Sequence, residues 1–138
     1  MSFVLDASAA LAWVFERVDS SEAAAARACL ARLSEEEALV PELWHLEVLN
    51  ALIVGHRRGV ISVAKAMDFL SRLDALPIRT QGESLAGRKE QVFSLAREHD
   101  LGAYDAAYLD LAIRSGAALA TFDRKLALAR DKAGVQAA

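Results

Sequence analysis

Four acidic residues of this chain stand next to apolar sequence, where an isolated carboxylate is costly to remove from water. Asp6 and Asp123 each end a short apolar run. Glu47 interrupts a long apolar segment with helical spacing, and Asp105 precedes another such segment. If the fold brings these side chains together, they repel one another and favour a hard divalent cation, because such ions prefer carboxylate oxygens.

Three of the four acids have an ordinary structural alternative. Asp6 and Asp123 are each followed by helix-forming sequence and could serve as helix N-caps. Asp105 falls in the first turn of a predicted helix, where a negative charge interacts favourably with the helix dipole. For Asp6 both roles, helix cap and metal ligand, remain open. Two roles also remain open for Ser8, whose hydroxyl could cap the backbone or lie near a metal or phosphate. For Asp105 alone the dipole is the better interpretation.

Glu47 is the acid that an ordinary fold explains least well. It lies on a helical face with Leu43 and Asn50, next to apolar positions. A charged side chain in such a stripe is rarely fully buried unless it has a partner. The alternative is a boundary position at which Glu47 reaches water or bonds His45 or Asn50. We favour a metal-ligand role for Glu47, with Asn50 as its hydrogen-bonding support.

Asp110 follows Asp105 by five residues on the same predicted helix. That spacing points the two side chains in different directions. We therefore expect Asp110 to face solvent. Gly102 precedes this helix and can serve as its N-cap, although it offers no side-chain oxygen.

The segments of the chain alternate between strand and helix patterns. Short apolar runs predict strands at 3–5, 38–40, 117–122 and, at an edge, 76–79, with a weak last strand at 134–136. Helical spacing, caps and stop signals predict helices at 8–15, 20–33, 41–58, 62–75, 83–99, 104–115 and 124–132.

This alternation predicts one α/β domain, residues 1–138, with a mainly parallel sheet. The strand candidates lack period-two alternation, as expected when helices cover both faces. Ligands of such sheets bind at the carboxyl ends of the strands. Asp6 and Asp123 both occupy that position by sequence alone.

Composition narrows the class of protein. The 138 residues are 54% hydrophobic with a net charge of −3, enough apolar content for a sizeable core and for some apolar surface. No stretch is long enough to span a bilayer, and the first residues lack a signal-peptide pattern. The single cysteine, Cys29, excludes a disulfide within one chain and favours the cytoplasm.

Four segments together resemble the PIN domain, in the order and spacing of the VapC toxins of toxin–antitoxin pairs. They are Val4-Leu5-Asp6-Ala7-Ser8, Val40-Pro41-Glu42-Leu43 leading to Glu47 and Asn50-Ala51-Leu52, Tyr104-Asp105-Ala106-Ala107-Tyr108-Leu109, and Thr121-Phe122-Asp123-Arg124-Lys125-Leu126. The resemblance spans nearly the whole chain. It implies a three-layer α/β/α fold with a short-stranded central sheet and a ribonuclease that depends on Mg²⁺ or Mn²⁺.

The resemblance also assigns roles to residues. The acidic quartet is matched by Asp6, Glu47, Asp105 and Asp123, and the supporting positions by Ser8, Asn50 and Thr121. Asp110 departs from the pattern, because an apolar or small residue is more usual there. The implied partners are an RNA substrate, a VapB-like antitoxin and a second copy of the chain in a homodimer.

Two other classes of function compete with the nuclease. A haloacid-dehalogenase-like phosphatase also places an aspartate after its first strand, but it usually has another aspartate two residues later, where this chain has Ser8. A PIN-like module that only binds proteins would be expected to lose some of its acids, whereas all four are present here. The sequence therefore favours hydrolysis of RNA phosphodiester bonds.

Overall fold

A four-stranded, all-parallel sheet forms the centre of the computed structural model, which describes residues 1–15, 19–82 and 84–138. The strand order is β3-β2-β1-β4. The strands are β1 (Ser2–Leu5), β2 (Glu37–Val40), β3 (Ile78–Thr80) and β4 (Ala118–Ala120).

Seven α-helices in the described ranges surround this sheet, as the α/β/α prediction requires. None of them combines the length and the apolar character needed to cross a membrane. The helices are α1 (Ala7–Leu11), α2 (Ser20–Arg32), α3 (Leu43–Arg57), α4 (Val63–Asp74), α5 (Lys89–His99), α6 (Ala103–Ser115) and α7 (Arg124–Lys132). A 3₁₀ turn, Leu85–Arg88, precedes α5.

The core lies between the sheet and the helices. Phe3, Val4 and Leu5 are fully buried in succession, which explains why β1 shows no polar alternation. Helix α6 is buried along the whole stretch from residue 106 to residue 112, because it packs on β1, β4, α5 and α7. Its small side chains, Ala106, Ala107 and Ala112, allow this close packing on several sides.

Most of the predicted elements are confirmed. Ser62 caps α4 by accepting a hydrogen bond from the Lys65 amide, Gly102 is the N-cap residue of α6, and Gly116 ends α6 in the left-handed region with φ +61°. Strand β3 is an edge strand, as predicted.

Several boundaries differ by one or two residues, and three predictions differ more from the structure. The first helix ends at residue 11 instead of residue 15. The segment predicted as one helix at 83–99 begins with the 3₁₀ turn, and residue 83 lies outside the described residues. The last strand predicted at 134–136 is wrong, since this end of the chain makes only an isolated bridge between Leu119 and Ala137. One bridge is too short to set up a ladder of hydrogen bonds.

The prediction that Asp110 faces solvent is also wrong. Its side chain is 4% exposed. Arg88 donates two hydrogen bonds to it, from Nη2 to Oδ1 at 2.7 Å and from Nε to Oδ2 at 3.1 Å, and Arg114 Nε donates to Oδ2 at 3.3 Å. The spacing from Asp105 did direct Asp110 to the other side of α6, but that side is covered by the 3₁₀ turn and α5 instead of water.

We predict that Asp110→Ala lowers the free energy of unfolding by about 3 kcal/mol, because it removes a buried carboxylate that balances two partly buried guanidinium groups. Urea denaturation followed by circular dichroism measures this loss. Asp131→Ala is the matched control, since Asp131 is paired with Arg130 at an exposed position and its loss should change stability by less than about 0.5 kcal/mol. Equal effects of the two substitutions would contradict a structural role for Asp110.

Candidate metal centre

Two of the acids lie at the carboxyl edge of the sheet, as predicted from the sequence. Asp6 directly follows β1, and its amide donates a hydrogen bond to the Ala120 carbonyl at the end of β4, at 2.9 Å. Asp123 follows β4 and begins α7. Because β1 and β4 are adjacent parallel strands, their ends place these residues side by side.

Hydroxyl groups hold the buried Asp6 side chain in one orientation. Its Oδ2 accepts hydrogen bonds from Ser8 Oγ at 2.6 Å and from Thr121 Oγ1 at 2.7 Å. The same hydroxyls accept from the backbone, Ser8 Oγ from the Phe122 amide at 2.9 Å and Thr121 Oγ1 from the Asp123 amide at 3.0 Å. This network joins the loop after β1 to the loop after β4.

The capping alternatives can be judged from the side-chain contacts. Asp6 stands at the N-cap position of α1 but its side chain makes no capping hydrogen bond. Asp123 does cap α7, because its Oδ2 accepts from the Leu126 amide at 2.9 Å. A cap uses one carboxylate oxygen, so Asp123 can cap α7 and also face the other acids.

Glu47 reaches the site from α3 and bonds a residue that the sequence analysis did not select. Tyr108, fully buried on α6, donates a hydrogen bond from its hydroxyl to Glu47 Oε1 at 2.6 Å. Asn50 is exposed, and no hydrogen bond joins it to Glu47 within the described chain, so the predicted support comes from Tyr108 instead. The available signal was a tyrosine in the otherwise apolar run 106–109, since a buried hydroxyl requires a partner.

Asp105 is in the first turn of α6 and is partly buried. Burial and the charges of Asp123 and Asp6 raise the pKa of Asp105 to about 6. Its position at the helix N-terminus, which alone would stabilise the negative charge, is outweighed by these effects. The dipole interpretation is therefore incomplete for this residue.

The other carboxylates are coupled in the same way. Burial raises the pKa of Asp6, and the negative charge of Asp123 raises it further. The hydrogen bonds from Ser8 and Thr121 to Asp6 act in the opposite direction. Burial also raises the pKa of Glu47, with added contributions from Asp6 and Asp105. Every charged neighbour that shifts the pKa of these three groups is itself a carboxylate. Among the described residues, the fold thus concentrates negative charge without a cationic side chain that lowers these pKa values.

This set of side chains fits a hard divalent cation in its chemistry, because all of its charged donors are carboxylate oxygens. In the arrangement of the described residues, no three acidic, histidine or cysteine side chains converge closely enough to coordinate one ion. Glu47, Asp105 and Asp123 are all partly exposed, so their side chains are free to rotate on the solvent side of the site.

The pKa of Asp105 predicts how stability depends on pH without divalent ions. A carboxyl group whose pKa rises from 3.8 in the unfolded chain to about 6 on folding contributes stability that is fully present below pH 3.8 and is lost as the pH rises through 6. At pH 7.5 we therefore expect Asp105→Asn to raise the free energy of unfolding by on the order of 1 kcal/mol, after allowing for solvent screening. Near pH 4 we expect no such gain.

Urea titrations in EDTA at both pH values measure this difference. Asp74→Asn, at an exposed position of α4, is the control for adding an amide elsewhere and should show no pH-dependent gain. A gain from Asp105→Asn that is the same at both pH values would rule out repulsion among the acids as its cause.

Comparisons with known proteins agree with this geometry. A family model described as PIN domain matches residues 3–132. Ribonuclease VapC3 of Pyrobaculum aerophilum is 35% identical over 133 residues, which cover 92% of this chain and 93% of that protein.

Solved structures show the same fold. The crystal structure of PAE2754 from Pyrobaculum aerophilum has a TM-score of 0.68 and 27% sequence identity, covering 94% of this chain and 87% of the other. The structure of FitAcB from Neisseria gonorrhoeae has a TM-score of 0.62 at 18% identity, with 99% and 96% covered, and supports the fold alone. With its parallel sheet, its acids at the carboxyl edge and these matches, the chain belongs to the PIN domain family and is a VapC-type member of it.

Proposed function

We propose that this protein is a divalent-metal-dependent ribonuclease and the toxin of a toxin–antitoxin pair. The observation that carries the proposal is the coupled carboxylate cluster at the carboxyl edge of a PIN-domain sheet. The printed name of the 35% identical relative, a ribonuclease, supports RNA as the substrate. The protein would act in the cytoplasm, where both its substrate and a reduced Cys29 are expected.

In the proposed site, Asp6, Glu47 and Asp105 are the main ligands of Mg²⁺ or Mn²⁺, and Asp123 binds the ion directly or through water. The ion, when bound, supplies Lewis acidity toward the scissile phosphate and makes a water more acidic, so no histidine base is needed. Ser8 and Thr121 hold Asp6 in place by the hydrogen bonds described above. These hydrogen bonds keep Asp6, the most buried of the four proposed ligands, from turning away from the acids that repel it.

We expect the surface next to the acids to contact the phosphate backbone of the RNA. Arg124 and Lys125 are exposed at the start of α7, directly after Asp123. Basic side chains in such a position would contact RNA phosphates and offset the repulsion between the acids and the substrate. The net charge of −3 does not oppose this, because binding responds to the local potential.

A phosphatase of the haloacid-dehalogenase type is less well supported. The position two residues after Asp6 holds Ser8, whose hydroxyl is bonded to Asp6 itself, so no second carboxylate is available there for that chemistry. The PIN domain match over residues 3–132 favours the nuclease. A PIN module that only binds proteins is distinguished by the experiment below.

We predict that the purified protein cleaves RNA with Mg²⁺ or Mn²⁺ and not in EDTA, and that Asp6→Asn and Asp105→Asn each lower the rate by roughly 100-fold or more, because each removes a charge from the ion-binding site. A panel of structured RNAs, followed by gel electrophoresis, measures the cleavage. Asp131→Asn, an exposed change on α7, should keep full activity.

Two results would reject the nuclease. Cleavage that continues undiminished in EDTA would reject metal dependence. If the original chain neither cleaves any RNA of the panel nor gains thermal stability from Mn²⁺, the protein is a binding module with a silent site.

A groove between α3 and α4 is the proposed binding surface for a VapB-like antitoxin. It encloses a cavity of about 260 Å³ and is lined by Trp44, His45, Val48, Leu49, Leu70, Leu73, Asp74, Leu76 and Ile78. Leu46 and Met67 remain exposed on the same two helices, at 71% and 62%. The buried indole N–H of Trp44 has no acceptor in the described structure. An apolar peptide segment would fill this groove and cover the exposed side chains beside it.

A basic antitoxin side chain near the carboxylates would also compete with the metal, because its positive charge would offset the repulsion among the acids. Apolar side chains exposed elsewhere, such as Phe93 on α5 and Ile113 on α6, support the homodimer. The groove and these side chains lie on different helices, so single substitutions on each can test antitoxin binding and dimerisation in turn.

We predict that the protein alone elutes with twice its 14.9 kDa chain mass, and that a cognate VapB-like antitoxin binds it and inhibits cleavage. Leu49→Asp should abolish this binding and leave the dimer intact, because it places a charge in the groove. Size exclusion with light scattering measures both properties. Leu128→Asp, on exposed α7, is the control. A monomer at micromolar concentration, or full antitoxin binding by Leu49→Asp, would contradict the respective proposal.

A further inference from the structure

Tyr108 occupies an unusual place beside the candidate metal centre. It is one of the largest fully buried side chains of the protein, and its only polar atom, the hydroxyl oxygen, is 2.6 Å from Glu47 Oε1. Glu47 lies on α3 and Tyr108 on α6, 61 residues apart in the chain. Within the described chain no other hydrogen-bond donor contacts the Glu47 carboxylate. This bond is therefore the polar link that joins these two helices at the site.

The position of Tyr108 relative to Asp105 is also informative. The two residues are three apart on α6, so they lie on the same side of the helix, one turn from each other. One helix therefore presents an acid to the cluster and, one turn later, the donor that holds a second acid. The distance between Asp105 and Glu47 is set by the rigid backbone of α6 and by one hydrogen bond.

Glu47 needs such a restraint. Its side chain has three rotatable bonds, it is only partly buried, and α3 continues into the exposed residues Leu49 and Asn50. Asp6 and Asp105 repel the carboxylate, so without a donor it would turn toward water. The hydrogen bond from Tyr108 opposes that movement. It also engages one carboxylate oxygen and leaves Oε2 as the atom that can face the other acids.

We propose that Tyr108 is a positioning residue that holds Glu47 by its Oε1 atom, so that the Oε2 atom is set in advance to bind a divalent ion. The inference rests on the proposed function, because it assigns a role within the same metal site. Partners that orient the ligands of a metal typically change its affinity by 10- to 100-fold when they are removed. Tyr108 itself touches neither ion nor RNA in this role.

The hydroxyl remains a donor over the whole working pH range. Burial, and then the hydrogen bond to Glu47, raise the pKa of Tyr108 well above its ordinary value. The restraint on Glu47 is therefore present in the protonation state that binds metal.

The test is Tyr108→Phe, which removes the hydroxyl oxygen and keeps the buried ring. We expect the dissociation constant for Mn²⁺, measured by isothermal titration calorimetry, to rise by about 10- to 100-fold. We also expect kcat for RNA cleavage to approach that of the original chain at saturating Mn²⁺, with the KM for RNA unchanged. Tyr104→Phe, an exposed tyrosine on the same helix, is the matched control and should change neither constant.

A double-mutant cycle separates positioning from a general effect on the fold. If Tyr108 acts through Glu47, adding Tyr108→Phe to Glu47→Gln should not weaken Mn²⁺ binding further. An unchanged Mn²⁺ dissociation constant in Tyr108→Phe, or equal losses in the presence and absence of the Glu47 carboxylate, would overturn the inference while the nuclease proposal stands. If the original chain itself binds no Mn²⁺, the proposed function fails and this inference fails with it.

Discussion

Electrostatic repulsion among carboxylates in a partly buried site is the constraint on which the functional part of this structure depends. Burial and neighbouring acids together raise the pKa of Asp6, Glu47 and Asp105, and no cationic side chain of the described residues is among the charged neighbours that shift these values. Such an arrangement is unfavourable for the folded chain without ions. The surrounding packing and hydrogen bonds hold this arrangement in place. A divalent cation would relieve the repulsion among the acids, which favours its binding.

Three of the four acids are kept in place by different contacts. Asp6 is restrained by two hydroxyl groups that are themselves fixed to the backbone of the neighbouring loop. Asp123 is restrained by the helix that it caps. Glu47 depends on Tyr108, a side chain from another helix. Asp123 is thus restrained by a local contact, whereas Asp6 and Glu47 depend on hydrogen bonds from residues distant in the sequence.

Helix α6 carries one acid that is balanced by arginines, Asp110, and one whose pKa is raised by other acids, Asp105, the proposed metal ligand. Asp110 and Asp105 lie on the same helix, and Asp110 is the more deeply buried. Asp110 is balanced by Arg88 and Arg114, so its burial serves to attach the 3₁₀ turn to the helix. Asp105 is surrounded by other acids, so its charge is available to a ligand. Burial alone would have selected Asp110 as the candidate ligand instead of Asp105.

The sequence by itself determined the α/β class, most of the helix and strand positions and the placement of Asp6 and Asp123 at one edge of the sheet. Strand runs, caps and the glycine that ends α6 are local signals, and the ends of adjacent parallel strands must meet. Only the tertiary structure decided that Tyr108 and not Asn50 bonds Glu47, and that Asp110 is buried in an ion pair. Both depend on which element covers a given side of a helix. Helical spacing gives the direction of a side chain, but the partner that it meets is set by the packing of segments distant in the sequence.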